Sequence, residues 1–191
     1  EGKKLVRDDK ACPRISEHIG LLPVVMVSPG DTSLVSDSGE ERRRFANGVL
    51  SQMDRSYLAA VQTYNRLLAQ RNRMLKEGTV DWDLMAVFDA RMAAAAVPVH
   101  EGRKRLCEDL RPVIQSYYGL ISGGGEEVSI DYRSDLAKGS LEDILREHRD
   151  RDLALRFTTA GVQRDDFLFT LDGHPIRRSG SQGQQKSFLV S

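Results

Sequence analysis

In the first 37 residues the longest apolar run is Leu21-Leu22-Pro23-Val24-Val25-Met26-Val27, stopped by Ser28-Pro29-Gly30-Asp31. A short, β-branched run closed by turn residues predicts a strand feeding a turn, and residues 3–37 read as strand and loop. At Ser38-Gly39-Glu40-Glu41 the pattern changes to a helix start, with acids in the first turn where the helix dipole favours them. Leu58, Val61, Leu67, Leu68 and Leu75 then recur near the helical period, and Arg55, Arg66, Arg71, Arg73 and Lys76 fall between them. Gly78 marks the stop. A second helix is predicted from Asp81–Asp83 to about Tyr118, through Leu84, Val87, Met92, Leu106, Leu110 and Ile114. If continuous it spans roughly 50 Å. Pro98 and Pro112 lie inside it and predict a kink or a break at one of them. Two long helices joined by a short turn make an antiparallel, coiled-coil-like arm.

Gly123-Gly124-Gly125 punctuates the return, and Glu127–Tyr132 alternates polar and apolar as a half-buried strand does. Ser140 with Asp143 three residues on has the spacing of a capping box and predicts a short helix. Leu155–Thr159 and Phe167–Leu171 read as strands, and Asp172-Gly173 before His174–Ile176 is a two-residue hairpin signal. The expected fold is therefore α+β. A head segment (1–37) and a second one (121–191) are interrupted by a helical arm (38–120).

Composition narrows the function. At 191 residues and 40% hydrophobic the chain can bury a core, while Lys+Arg and Asp+Glu both total 28. Without a basic excess, any DNA contact must come from a local patch. Arg42-Arg43-Arg44 is the candidate, because a helix-borne basic cluster can meet phosphates; a solvated face explains it equally well. Cys12 and Cys107 stand singly, which argues against structural zinc and a disulfide framework and fits a reducing cytosolic setting. The longest apolar stretches, Gly20–Val27 and Met92–Val99, fall well short of the ~20 residues of a membrane span, and no secretory signal is present. His18, His100, His148 and His174 lack ligand or triad spacing. Asp165-Asp166 could share a divalent metal, but successive strand residues point to opposite faces, so a charged turn leading into a strand is the better reading and no metal site is expected. The chain opens without Met and closes on Phe188-Leu189-Val190-Ser191, an apolar run stopped in mid-pattern, as expected of a piece of a longer protein.

One motif carries chemistry. Ser179-Gly180-Ser181-Gln182-Gly183-Gln184-Gln185 precedes an expected helix. Small residues at a helix N-terminus expose backbone N–H groups and the positive end of the dipole, which suits a phosphate; Gly183 permits close approach and Ser181 can donate its hydroxyl. On the residues alone, a polar loop with an N-cap remains the alternative.

Gly180–Ser187 closely resembles the signature motif of the RecF family, in which Ser-x-Gly-Gln takes the role of the ABC-type signature. Glu17–Val25 followed by Ser28-Pro29-x-Asp31, then Arg42-Arg43-Arg44-Phe45, Tyr64-Asn65-Arg66, Gln70-Arg71-Asn72 with Leu75-Lys76, and Arg164-Asp165-Asp166 resemble further family segments in the same order. The resemblance covers essentially the whole chain. It departs at Asn47, where the family commonly has Asp, and at Gln163, where it commonly has His. It implies part of an ABC/SMC-like ATPase head with a long antiparallel arm. It also implies a parent protein that binds ATP and Mg²⁺, forms an ATP-dependent homodimer, binds single-stranded or gapped DNA, and works with RecR and RecO. Ser181, Gly183 and Gln184 would contact the nucleotide held by the other subunit. The chain contains no GxxxxGK[ST] loop and no apolar strand ending in paired acids, so neither ATP hydrolysis nor a bound cofactor is expected of it alone. The alternative is an interaction module whose helical arm docks a repair partner without touching nucleotide.

Overall fold

The computed structural model describes residues 6–7, 10–11, 19, 33–78 and 80–191. The expected strand at Leu21–Val27, the segments Glu17–His18 and Ser28–Asp31, and Cys12 lie outside the described residues. Strands β1 (Val6–Arg7) and β2 (Lys10–Ala11) pair antiparallel, and a single helical turn, α1 (Ser33–Ser36), follows where loop was expected.

Three helices come next: α2 (Gly39–Met53), α3 (Arg55–Glu77) and α4 (Trp82–Ser122). Asp54 ends α2 and caps α3 by accepting from the Ser56 N–H. Asp81 caps α4 by accepting from the Asp83 and Leu84 N–H groups. Gly78 and Gly123 close α3 and α4 in the left-handed conformation, at φ 82° each, which costs glycine little. The two long helices run antiparallel, with Tyr57 over Gly102 and Arg71 paired to Asp89.

Neither proline breaks α4, which stays helical through all 41 residues. Pro98 and Pro112 both sit on its exposed side, as do Ala94 and Glu108, whose carbonyls lose their helical donor. Water can serve those carbonyls.

Beyond α4, β3 (Val128–Arg133) pairs antiparallel with β4 (Asp166–Leu171) from Val128↔Leu171 to Arg133↔Asp166, and β5 (His174–Pro175) adds to the end of β4 through the expected hairpin at Asp172-Gly173. Two short helices, α5 (Leu141–Glu147) and α6 (Arg149–Leu155), separate β3 from β4. Ser140 accepts from the Asp143 N–H, as its spacing predicted. Leu155–Thr159 is not a strand: α6 reaches Leu155, Arg156 turns left-handed, and the N–H groups of Thr158 and Thr159 are taken by the Asn72 and Asp152 side chains. The chain finishes in α7 (Ile176–Ser179) and α8 (Gln182–Val190).

The core has two parts. Val128, Ile130, Phe167 and Leu171 from the sheet pack on Cys107, Ile114 and Tyr118 of α4 and on Phe188 of α8. Tyr57, Tyr64 and Leu67 of α3, Met92, Ala96 and Val99 of α4, and Leu141 and Leu145 of α5 form the other. The antiparallel arm is thus packed rather than bare, with α5 and α6 along it. Arg149 of α6 stacks on Trp82, the first residue of α4.

Candidate functional site

The signature turn sits where α7 hands over to α8. Ser181 caps α8, and its Oγ accepts from the Gln184 N–H at 3.2 Å, while the Gln184 side-chain oxygen accepts from the Ser181 N–H at 2.7 Å. This reciprocal capping box satisfies two end groups and leaves the N–H donors of Gln182 and Gly183, in the first turn, without a helical acceptor. Ser181, Gln182 and Gly183 are exposed.

The two glycines of the turn serve different ends. A β-carbon at Gly180 would meet the Ile176 Cγ1 and carbonyl oxygen at 2.8 Å each, so packing within the chain requires Gly180. At Gly183 it would meet only the Ser181 Oγ, at 3.8 Å. Nothing described in the chain requires a glycine there, although glycine is a poor helix former. The open side of Gly183 faces outward beside the exposed hydroxyl and the two N–H donors, a cradle of the kind an anion fits.

The basic triplet does not form one surface. Arg42 turns inward, with its side chain 9% exposed; it donates to both Asp166 oxygens and to the carbonyls of Leu34 and Asp37. Arg43 donates to the Asp165 carbonyl at 2.7 Å. Arg44 alone of the three lies out in solvent, beside Glu41. A different set of arginines converges: Arg133, Arg177 and Arg178 line a cavity of about 550 Å³ with Arg42, Asp166 and Phe169. The Arg177-Arg178 pair three residues before the signature serine was a readable signal. Arg133 joins them only through the β3–β4 pairing.

Asp165 and Asp166 diverge, each onto its own arginine. Asp166 closes on Arg42. Asp165 is buried and accepts from Arg103 at 2.7 Å and from the Tyr132 hydroxyl. Burial pushes the Asp165 carboxyl above the usual carboxylate range, with Arg103 pulling the other way. Among the described residues no group of three or more His, Cys, Asp or Glu could hold a metal ion. The two positions at which the resemblance departs, Asn47 and Gln163, are half-buried. Asn47 accepts from Tyr57 at 2.7 Å and from Arg103 at 3.1 Å, and Gln163 accepts from Tyr64 and donates to the Ala160 carbonyl at 2.8 Å.

Sequence reading missed a second buried cluster. Arg71, fully buried, bonds Asp89 at 2.7 Å, Asp152 at 2.6 Å and Thr158 at 2.8 Å, tying α3, α4, α6 and the loop after α6 together.

No family model matches the chain. Among curated proteins it is 45% identical over 190 residues to the DNA replication and repair protein RecF of Porphyromonas gingivalis and 42% identical over 189 residues to that of Parabacteroides distasonis, covering 99% of this chain and 52% of each relative. To the RecF of Flavobacterium johnsoniae it is 37% identical, covering 54% of that protein. Two solved structures share the fold: the recombination mediator protein RecF-ATPrS in the RecFOR pathway (TM-score 0.88, 24% identity) and RecF-ATP in the same pathway (TM-score 0.87, 25% identity). Each match takes in 96% of this chain and 52% of that one. No helix among the described residues is long and apolar enough to cross a membrane. The chain spans about half the length of the curated relatives it matches, and over 99% of its own length it is similar to RecF proteins.

Proposed function

We propose that this chain is the part of a RecF-like DNA-repair protein that contributes the signature half of an ATP site, completed when two copies of the full-length protein meet. The observation that carries the reading is the turn at Ser181: an exposed, capped helix start whose glycine at 183 answers to nothing described in its own chain. Ser181 would offer its hydroxyl, and Gln182 and Gly183 their N–H groups, to a phosphate held by the partner; Gln184 keeps the turn in shape. ATP would supply the terminal phosphate, and the residues that hold Mg²⁺ would come from outside this chain. By itself the chain has no ATPase activity and at most very weak affinity for ATP, so micromolar binding in a calorimetric titration would contradict the reading.

For the full-length protein the reading includes DNA and partners of the RecR and RecO type; its support is that the solved relatives are described as recombination mediator proteins in the RecFOR pathway. In this chain the convergent Arg133, Arg177 and Arg178, and Arg44 of the triplet, are the side chains suited to phosphate. A second reading has its own support: Leu84, Val87 and Val97 of α4 are each about half exposed, apolar side chains that would suit a protein partner. The two separate by mutation in the full-length protein. Ser181→Ala should weaken ATP-dependent dimerisation and spare partner binding, and Val87→Asp should do the reverse. Dimerisation untouched by Ser181→Ala, with partner binding lost in Val87→Asp, would favour the second reading over the first.

A further inference from the structure

Glu126 lies between the three glycines that follow α4 and the start of β3, outside the signature motif. Its carboxylate is shared two ways: one oxygen accepts from the Tyr118 hydroxyl at 2.6 Å, the other from the Gln184 side-chain amide at 2.7 Å. The same Gln184 amide turns its oxygen to the Ser181 N–H at 2.7 Å. A primary amide has one accepting and one donating end, while a carboxylate only accepts. Glu126 therefore admits a single orientation of the Gln184 amide, the one that presents oxygen to Ser181. Tyr118 is fully buried, and burial first, then its bond to Glu126, pushes its hydroxyl up to about 12, so it remains a donor throughout the neutral range.

We infer that Glu126 is a positioning residue for the signature serine: through Gln184 it fixes the turn from which Ser181 and the first-turn N–H groups face the nucleotide. The inference rests on the reading that Ser181 contacts a partner's ATP. Without Glu126 the Gln184 amide is free to turn over, and one half of the capping box then opens. Ser181 is left to be ordered at the moment of binding, a cost that a preorganised contact avoids.

The test uses the full-length protein, with ATP-dependent dimerisation read by sedimentation and folding by the thermal midpoint. Glu126→Ala should raise the dimer Kd on the order of tenfold, ~1.4 kcal/mol. Glu126→Gln, which can still accept from Gln184 through its amide oxygen, should recover most of that loss with the midpoint unmoved, whereas Glu126→Ala should also lower the midpoint modestly because the Tyr118 hydroxyl loses its acceptor. Combined with Gln184→Ala, the Glu126→Ala loss should not add, since both act through one bond. Tyr118→Phe, which removes only the hydroxyl, should weaken dimerisation in the same direction by less; it decides the matter should Glu126→Ala fail to fold, and dimerisation at the wild-type Kd would then overturn the proposal. Wild-type dimerisation by Glu126→Ala while Ser181→Arg is defective would overturn the positioning role and leave the ATP reading standing. Wild-type dimerisation by Ser181→Arg would overturn that reading itself. Equal losses in Glu126→Ala and Glu126→Gln with the midpoint lowered in both would mean a structural role only and would also overturn the proposal.

Discussion

Arg71→Ala should be the most damaging truncation in the helical region. The Arg71 side chain is 0% exposed, and its two carboxylate partners, Asp89 and Asp152, are 4% and 0% exposed. Truncation leaves both carboxylates buried without the cation that bonds them, and removing one partner of a buried pair costs about 3–5 kcal/mol. Thr158 also loses the guanidinium it bonds at 2.8 Å. Amide hydrogen exchange in the full-length protein reads this locally, without assuming that the whole molecule unfolds in one step. Protection across α6 and the facing parts of α3 and α4 should fall by about 3–5 kcal/mol in opening free energy. Arg73→Ala, which breaks a solvent-exposed pair with Glu77 two residues along the same helix, is the control and should change little. Adding Asp89→Asn and Asp152→Asn to an Arg71→Met variant should return much of the loss, because the cost comes from the orphaned charges. Exchange in Arg71→Ala no faster than in Arg73→Ala would refute the reasoning.

Two further outcomes follow from the site. Asp165 binds its proton more tightly folded than unfolded, because burial raises its carboxyl pKa. Its contribution to stability is therefore fully present below the unfolded Asp value of about 3.9 and is lost as pH rises through the raised folded value. The stability of wild type relative to Asp165→Asn should grow as pH falls from neutral toward 4, measured by thermal midpoints across that range; a difference that shrinks would contradict it. At the signature turn, Gly183→Ala should preserve folding but weaken ATP-dependent dimerisation, whereas Gly180→Ala should lower the thermal midpoint through its 2.8 Å contacts with Ile176. Equal midpoints for the two variants would show that the glycines do not differ as described.

Local signals in the sequence were read correctly where a few adjacent residues decide the backbone. Gly78 and Gly123 end their helices, Asp172-Gly173 turns the hairpin, and Ser140 and Ser181 cap. What escaped depends on residues far apart in the chain. Arg71 falls among charged positions between the apolar ones of α3, and nothing local marks it as buried; its partners lie 18 and 81 residues away. Thr158 and Thr159 look like strand residues by composition, yet side chains rather than a neighbouring strand take their N–H groups. The Arg42-Arg43-Arg44 run suggested one surface, but consecutive helical positions diverge, and Asp166 draws the first of them inward. Pro98 and Pro112 suggested a break because sequence does not show which side of the helix faces water. Of the candidate site, the serine, the glycine and the helix start were legible, whereas Glu126, 58 residues from Gln184, was not.

If Ser181 meets nucleotide across a dimer, sedimentation of the full-length protein carrying Ser181→Arg, with ATP and Mg²⁺, should reveal it. Charge-assisted hydrogen bonds to a phosphate are worth roughly 1.5–3 kcal/mol each, and a symmetric dimer would lose them at both sites. The variant should still bind ATP as a monomer, in a parallel nucleotide-binding assay, and stay monomeric at concentrations where wild type dimerises. Dimerisation of Ser181→Arg on ATP at the wild-type concentration would contradict this and remove Ser181 from the nucleotide interface.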